Sequence, residues 1–334
     1  MSERERVAFL AGVPLFEGIA EDDLADLAHV LRRRTVRAGE IIWREGSHAA
    51  SMALIVDGRV AVTRHVVGAR AMSVAEFGPG QTVGEIPLFD GGPHTATAQA
   101  ADTTTLLLLG RPDFAALVAR RHPSAFALKR RIASLATARL RTQLERLAAP
   151  IADAPDEQPA AEALPLAAEL EPCGPPNSGY VRRMATFRAF DSLALWGFLT
   201  AGRYARCRRG RTLVAEGAQP NACYLTINGA VEKVLVRGRR RIRVGLAGPG
   251  QAFAYESLID GRPAPVTAIS RERALLLVLP REPFERLFLG DTPESHVFLD
   301  VIDRDVVGSW RHALRPLAPL VHASAPRDKF VSVT

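Results

Sequence analysis

The densest chemistry in the 334-residue chain lies in Val83-Gly84-Glu85-Ile86-Pro87-Leu88-Phe89-Asp90-Gly91-Gly92-Pro93-His94-Thr95-Ala96-Thr97. Gly84-Glu85 opens a short helical turn, Asp90-Gly91-Gly92-Pro93 makes a tight turn, and a strand restarts at Thr95. A backbone bent this way aims N–H groups from the turn at 84–88 into one hollow, where an anion can rest on them. The Glu85 carboxylate can accept from a sugar hydroxyl in the same hollow. Thr95 adds a hydroxyl, and His94 adds a group that becomes a cation when protonated.

Other chemistry is sparse. No Gly-x-Ser-x-Gly elbow, Gly-x-x-x-x-Gly-Lys loop or His-Glu-x-x-His pair occurs. The eight histidines are scattered, and His29 and His65 fit a helix face and a strand. Cys173, Cys207 and Cys223 lack metal-ligand spacing and cannot all pair. The expectation is a protein that is not an enzyme and carries no metal or resident cofactor.

The block at 83–97 resembles the phosphate-binding cassette of cyclic-nucleotide-binding domains, as in catabolite activator proteins and the regulatory subunits of protein kinase A. Gly84, Glu85, Ile86, Leu88, Thr95 and Ala96 match that pattern, and His94 stands where the family places the arginine that grips the cyclic phosphate. The resemblance implies a ligand site for cAMP or cGMP built from Gly84, Glu85, Ile86, Leu88, His94, Thr95 and Ala96. Arginine is always charged and forks onto phosphate, whereas a neutral histidine offers one donor. The expected outcome is weak binding, or binding that improves at acid pH when His94 is protonated.

The elements that must position this block recur. Arg37-Ala38-Gly39-Glu40-Ile41-Ile42 with Glu45-Gly46 is echoed by Arg208-Arg209-Gly210-Arg211-Thr212-Leu213 with Glu216-Gly217. Asp57-Gly58 returns as Asn228-Gly229, Gly78-Pro79-Gly80-Gln81 as Gly248-Pro249-Gly250-Gln251, and Leu88-Phe89-Asp90-Gly91 as Leu258-Ile259-Asp260-Gly261, at an offset of 170 to 171 residues. A repeat of that length is a whole domain. Many short strands with glycine turns, among them hairpins at Asp57-Gly58 and Asn228-Gly229, predict a mainly β fold with flanking α-helices. The fold class expected is two tandem jelly-roll β-barrels, double-stranded β-helices of the cyclic-nucleotide-binding type. In the second copy Gly84, Glu85, His94 and Thr95 become Ala254, Tyr255, Ala264 and Pro265, and Glu256 reaches the acceptor's place only by a one-residue slip. This degenerate second pocket is expected not to hold a cyclic phosphate.

Glu21-Asp22-Asp23 opens a helix that the pattern carries to Arg32-Arg33-Arg34, whose charges suit its C-terminus. Helices follow the first barrel at Phe114–Arg120 and at 124–147. The longer one has an apolar stripe through Leu128, Ile132, Leu135, Leu140, Leu144 and Leu147, broken at Arg139, and carries Lys129, Arg130, Arg131 and Arg141 on the opposite face. It packs either on its own barrel or, as the resemblance suggests, as the seam of a homodimer or partner complex. Residues 150–179 hold six acidic and no basic residues and read as an acidic, Pro/Ala-rich linker with a short helix around Ala160–Leu170. The domains expected are 11–147, a linker at 150–179, 180–315 and a loose tail at 316–334.

Net charge is +7, with 19 basic against 16 acidic residues in 1–149 and 24 against 14 in 180–334. The arginine run at 237–243 reads as a hairpin tip and returning strand. No aromatics interleave and no helix-turn-helix follows, so sequence-specific DNA recognition is not expected. No run of about 18 apolar residues is present, and the acid-beside-base start is unlike a secretion signal, so a cytoplasmic protein without membrane contact is expected. The function that follows is a cyclic-nucleotide-responsive regulator, in which ligand in the first domain shifts the helices after its barrel. A ligand-independent protein-binding scaffold and a non-specific nucleic-acid binder stay open at this level.

Overall fold

The computed structural model describes residues 2–64, 72–152, 170–188, 190–237 and 240–313. The first half runs α1 (Glu3–Ala11), α2 (Glu21–Val30), β1 (Arg32–Val36), β2 (Ile41–Trp43), β3 (Ser51–Asp57), β4 (Val60–Arg64), β5 (Met72–Phe77), β6 (Thr82–Val83), α3 (Ile86–Asp90), β7 (Thr97–Ala100), β8 (Thr104–Gly110), α4 (Arg111–Ala119) and α5 (Pro123–Ala152). The second half runs β9 (Glu171–Cys173), α6 (Ser178–Arg182), α7 (Ser192–Thr200), β10 (Arg203–Cys207), β11 (Thr212–Val214), β12 (Ala222–Asn228), β13 (Val231–Arg237), β14 (Arg240–Ala247), β15 (Ala252–Phe253), α8 (Glu256–Asp260), β16 (Thr267–Ser270), β17 (Ala274–Pro280), α9 (Arg281–Leu289) and α10 (Pro293–Ala313).

The first barrel is two four-stranded antiparallel sheets, β1-β8-β3-β6 and β2-β7-β4-β5. The second repeats them as β10-β17-β12-β15 and β11-β16-β13-β14, with β9 added beside β10. The two-barrel jelly roll is therefore present. Residues 171–173, within the stretch read as linker, form β9. The helix expected around 160–170 falls almost wholly outside the described residues, and the tail at 316–334 does so entirely.

Two local expectations change. Asp57-Gly58 is not a hairpin: β3 pairs with β8 and β6, β4 pairs with β7 and β5, and the turn carries the chain from one sheet to the other. Gly58 takes φ +82° there, and an added Cβ would sit 2.7 Å from the Thr103 carbonyl oxygen. Asn228-Gly229 makes the same crossing between β12 and β13. Arg32, Arg33 and Arg34 do not end a helix. They begin β1, an exposed strand that among the described residues pairs with β8 alone, where charge suits an unpaired rim.

The longest helix, α5, does not project to a partner. Its apolar stripe closes within the chain: Leu128 and Ile132 pack in the first domain's own core with Phe16 and Leu107, and the rest of the helix packs on α10 and the second barrel. Phe126, Ala133 and Ala136 join one core cluster with Phe198, Phe298 and Ile302. Further along, Leu140, Leu144 and Leu147 pack with Leu235, Val244 and Val266. The expected intermolecular seam is filled by the second domain.

The cationic face of α5, read as lying opposite the stripe, is partly buried too. Lys129 is 3% exposed and pairs with Asp300 and, at 3.1 Å, with Asp303, both on α10. Burial works against its charge, but Asp303 and Asp300 outweigh it and hold its pKa above the usual value. Arg141 is 5% exposed and grips both carboxylate oxygens of Asp260, with Nη2 at 2.9 Å, while Nη1 donates to the Pro263 carbonyl at 2.7 Å. Replacing one member of such a buried pair strands its partner, at a cost of about 3–5 kcal/mol. Lys129→Met is therefore expected to lose that much stability in urea unfolding, with much of it restored by adding Asp303→Leu. A loss under about 1 kcal/mol would show that the pair is not desolvated as described.

Candidate functional site

The cassette sits where the sequence places it. β6 ends at Val83, Gly84 turns with φ +76°, Glu85 is the N-cap of α3, and Gly91 ends that helix at φ +62°. His94 is fixed by its own backbone, which donates to Ser47 O at 3.0 Å and accepts from Gly46 N at 2.8 Å. These segments, with β4, β5 and β7, wall a cavity of about 320 Å³. Gly84, Glu85, Ile86, His94, Thr95 and Ala96 all line it, whereas Leu88 turns into the core beneath with Met52 and Leu107.

The floor is polar at one point. Glu85 is 1% exposed, and one carboxylate oxygen accepts from Arg139 of α5 while the other, Oε2, is buried without a hydrogen-bond partner. Arg139 stands over the Phe77 ring, 5.4 Å from its centroid. Burial lowers its pKa to about 10, so it stays charged at neutral pH. The sequence reading missed this contact; its signal was the arginine that breaks the apolar stripe of α5. It also missed Trp310 of α10, which lines the rim, and Arg311, which donates to the Pro93 carbonyl at 3.2 Å. The cavity of the first domain is thus completed by a helix of the second.

His94 does not stand free as a cation. Its ring lies parallel to Trp43, with centroids 4.3 Å apart and 3° between planes, and it is 4% exposed. Gly84 allows this, because an added Cβ would meet the Trp43 ring at 2.7 Å. Burial, then the charges of His48 and Arg311, push the His94 pKa down to about 4. The acid-strengthened binding expected from sequence has no titration to drive it between pH 6 and 8.

The second pocket is occupied by protein. Tyr255 takes the N-cap place of Glu85 and is fully buried. Glu256 is the next residue along, 2% exposed, its pKa raised by burial, so no slip brings it to the acceptor's place. Lys233, at the position of Val62 in the repeat, reaches Asp305 at 3.4 Å and Ser309 at 2.5 Å on α10. Ala254 keeps the left-handed turn at φ +61° without a glycine, and Ala264 is buried beside a half-buried Pro265. The following turn, at Asp260 and Pro263, is the one that receives Arg141.

The His94 environment sets a stability test. A histidine held at about pKa 4 when folded and about 6.5 when unfolded binds more protons in the unfolded chain between those values. Its stabilising contribution is complete above pH 6.5 and drains away as pH falls toward 4. Between pH 7 and pH 4 the protein is expected to lose about 2–3 kcal/mol more than His94→Gln loses. Equal losses in urea titrations would show that the ring is solvated.

A family model described as the cyclic nucleotide-binding domain matches the chain twice, over residues 33–121 and 205–291. The cyclic AMP receptor protein of Thermus thermophilus is 33% identical over 111 residues, covering 33% of this chain and 51% of that protein. The cyclic nucleotide-gated potassium channel mll3241 of Mesorhizobium japonicum is 38% identical over 105 residues, covering 31% of this chain and 28% of the channel. The chain spans about half or less of the length of these curated relatives. Among solved structures, the N-terminal domain of a transcriptional regulator from Streptomyces coelicolor is 31% identical, covers 37% of this chain and 89% of its own, and gives a TM-score of 0.35. The two matched segments make up more than half of the chain and fall on two barrels of identical strand order, and the protein belongs to the cyclic nucleotide-binding domain family as a tandem of two such domains.

Proposed function

We propose that the chain is a regulatory sensor: the first domain receives a small ligand, and the α5–α10 seam carries its effect to a protein partner. The observation behind this reading is the Glu85–Arg139 pair. One partner forms the floor of the cavity, and the other belongs to the helix whose neighbouring turns pack on α10 and the second barrel. A ligand donor arriving at Glu85 competes with Arg139 for the carboxylate and so changes the hold on α5. A ligand that interacts differently with two arrangements of a packed element shifts their populations. The purine cyclic nucleotides cAMP and cGMP are the ligands that family membership suggests. The second domain acts as a fixed clamp, its own hollow taken by Tyr255 and Lys233.

A scaffold reading has one observation in its favour: Leu193 and Trp196 on α7 are 78% and 53% exposed, a surface suited to a protein partner. Melting curves separate the two. Among the described residues no helix is long and apolar enough to cross a membrane. A panel of cyclic purine nucleotides and their parent nucleosides at millimolar concentration is expected to raise the melting temperature by roughly 3–10 °C for at least one member. Trp310→Ala, which opens the rim, is expected to weaken that binding by about tenfold. A melting temperature indifferent to every compound would leave the scaffold.

A further inference from the structure

We infer that the ligand of the first cavity is a nucleoside-class molecule, an aromatic base carrying sugar hydroxyls, rather than a cyclic phosphate. This deepens the sensor reading and rests on it. Three features of the cavity carry it.

The first is a demand for a donor. Glu85 lines the cavity, its Oε2 is buried without a hydrogen-bond partner, and the other oxygen is held by Arg139. An acceptor in that state is satisfied by a ligand O–H or N–H, and the half-buried Thr95 hydroxyl on the same wall offers a second polar contact.

The second is the missing counter-charge. The ring at position 94 is neutral, buried and stacked flat on Trp43. A phosphate beside it would gain no counter-charge from that ring and would share the cavity with the Glu85 carboxylate. The other arginines do not replace it. Arg139 is committed to Glu85, Arg64 lies 3.8 Å from Glu45, Arg311 donates to the Pro93 carbonyl at 3.2 Å, and Arg146 is exposed, where water and salt screen its pull. A hydroxyl in the phosphate's place needs no compensating charge.

The third is the wall. Phe77, Val62, Ala75 and Ile86 line the cavity, with Trp310 at the rim. Its volume, about 320 Å³, falls at the lower end of small-molecule sites, roughly 300–1,000 Å³. An apolar lining of that size with one buried acceptor suits a flat ring joined to a polyol.

Isothermal titration of the full chain at pH 7.5 and physiological salt, with adenosine, guanosine, cAMP and cGMP, tests this. The expected result is that at least one nucleoside binds tenfold or more tighter than its own cyclic phosphate. In Glu85→Gln the amide oxygen accepts from Arg139 and the NH2 replaces the unpartnered acceptor with a donor. That variant is expected to lose tenfold or more in nucleoside affinity while keeping the circular dichroism spectrum of the folded chain. His94→Arg is expected to reverse the order in favour of the cyclic phosphate, and the comparison within the unmodified chain stands even if that variant fails to fold. Tighter binding of the cyclic phosphates by the unmodified chain would overturn the inference and leave the sensor reading intact. Nucleoside binding indifferent to Glu85→Gln would overturn it as well, and binding of none of the four would remove both.

Discussion

The arrangement of this molecule depends on one seam, where α5 of the first domain lies along α10 and the barrel of the second. Two charged contacts fix its register: Lys129 between Asp300 and Asp303, and Arg141 in the turn at Asp260 and Pro263. Burying charges earns little net stability, but it penalises every alignment in which they lose their partners. Apolar packing along the same helix supplies the adhesion. The core cluster that holds Ile86 and Phe126 is continuous with the one around Phe198 and Tyr255, so the two domains do not have separate interiors. The first cavity depends on this register, because Arg139 reaches Glu85 from α5 and Trp310 reaches the rim from α10 only when both helices are held in place.

The two copies of the fold show how few substitutions separate a hollow from a filled core. Glu85 becomes Tyr255, and Val62 becomes Lys233, whose ammonium is satisfied on α10. Arg139 is matched in the repeat by Ser309, which accepts from that lysine. Both cassette turns receive an arginine from the other domain's long helix, Arg311 at the Pro93 carbonyl and Arg141 at the Pro263 carbonyl, and only in the second does the arginine also grip the turn's aspartate, Asp260. Where the first barrel keeps a cavity lined by a carboxylate with one unpaired oxygen, the second pairs lysine with aspartate and serine and fills the space with a phenol ring. One domain keeps a site, and the other holds the helix that completes it.

What the sequence revealed follows from the range of the interactions involved. The cassette was legible because Gly84, Glu85, Gly91 and His94 lie within a dozen residues and their turns are local. The doubled domain was legible because glycine turns recur at a fixed offset. The sheet crossing at Asp57-Gly58 was not, because a turn residue shows that the chain bends and not which strand it joins next. Arg32–Arg34 misled because charges suit a helix end and an exposed edge strand alike. The partners of Lys129 and Arg141 were not legible, because those carboxylates lie 119 to 174 positions away. The role of His94 turned on Trp43, a stacking partner from another strand that no local pattern announces.

That the domains form one body through the seam can be tested by cutting the chain between them. A site-specific protease sequence placed within residues 155–168 leaves the described elements untouched. After cleavage, the account predicts that the two fragments co-elute as a one-to-one pair in native buffer at low micromolar concentration and separate only in denaturant. Fragments that part in native buffer, each retaining a folded barrel, would contradict it.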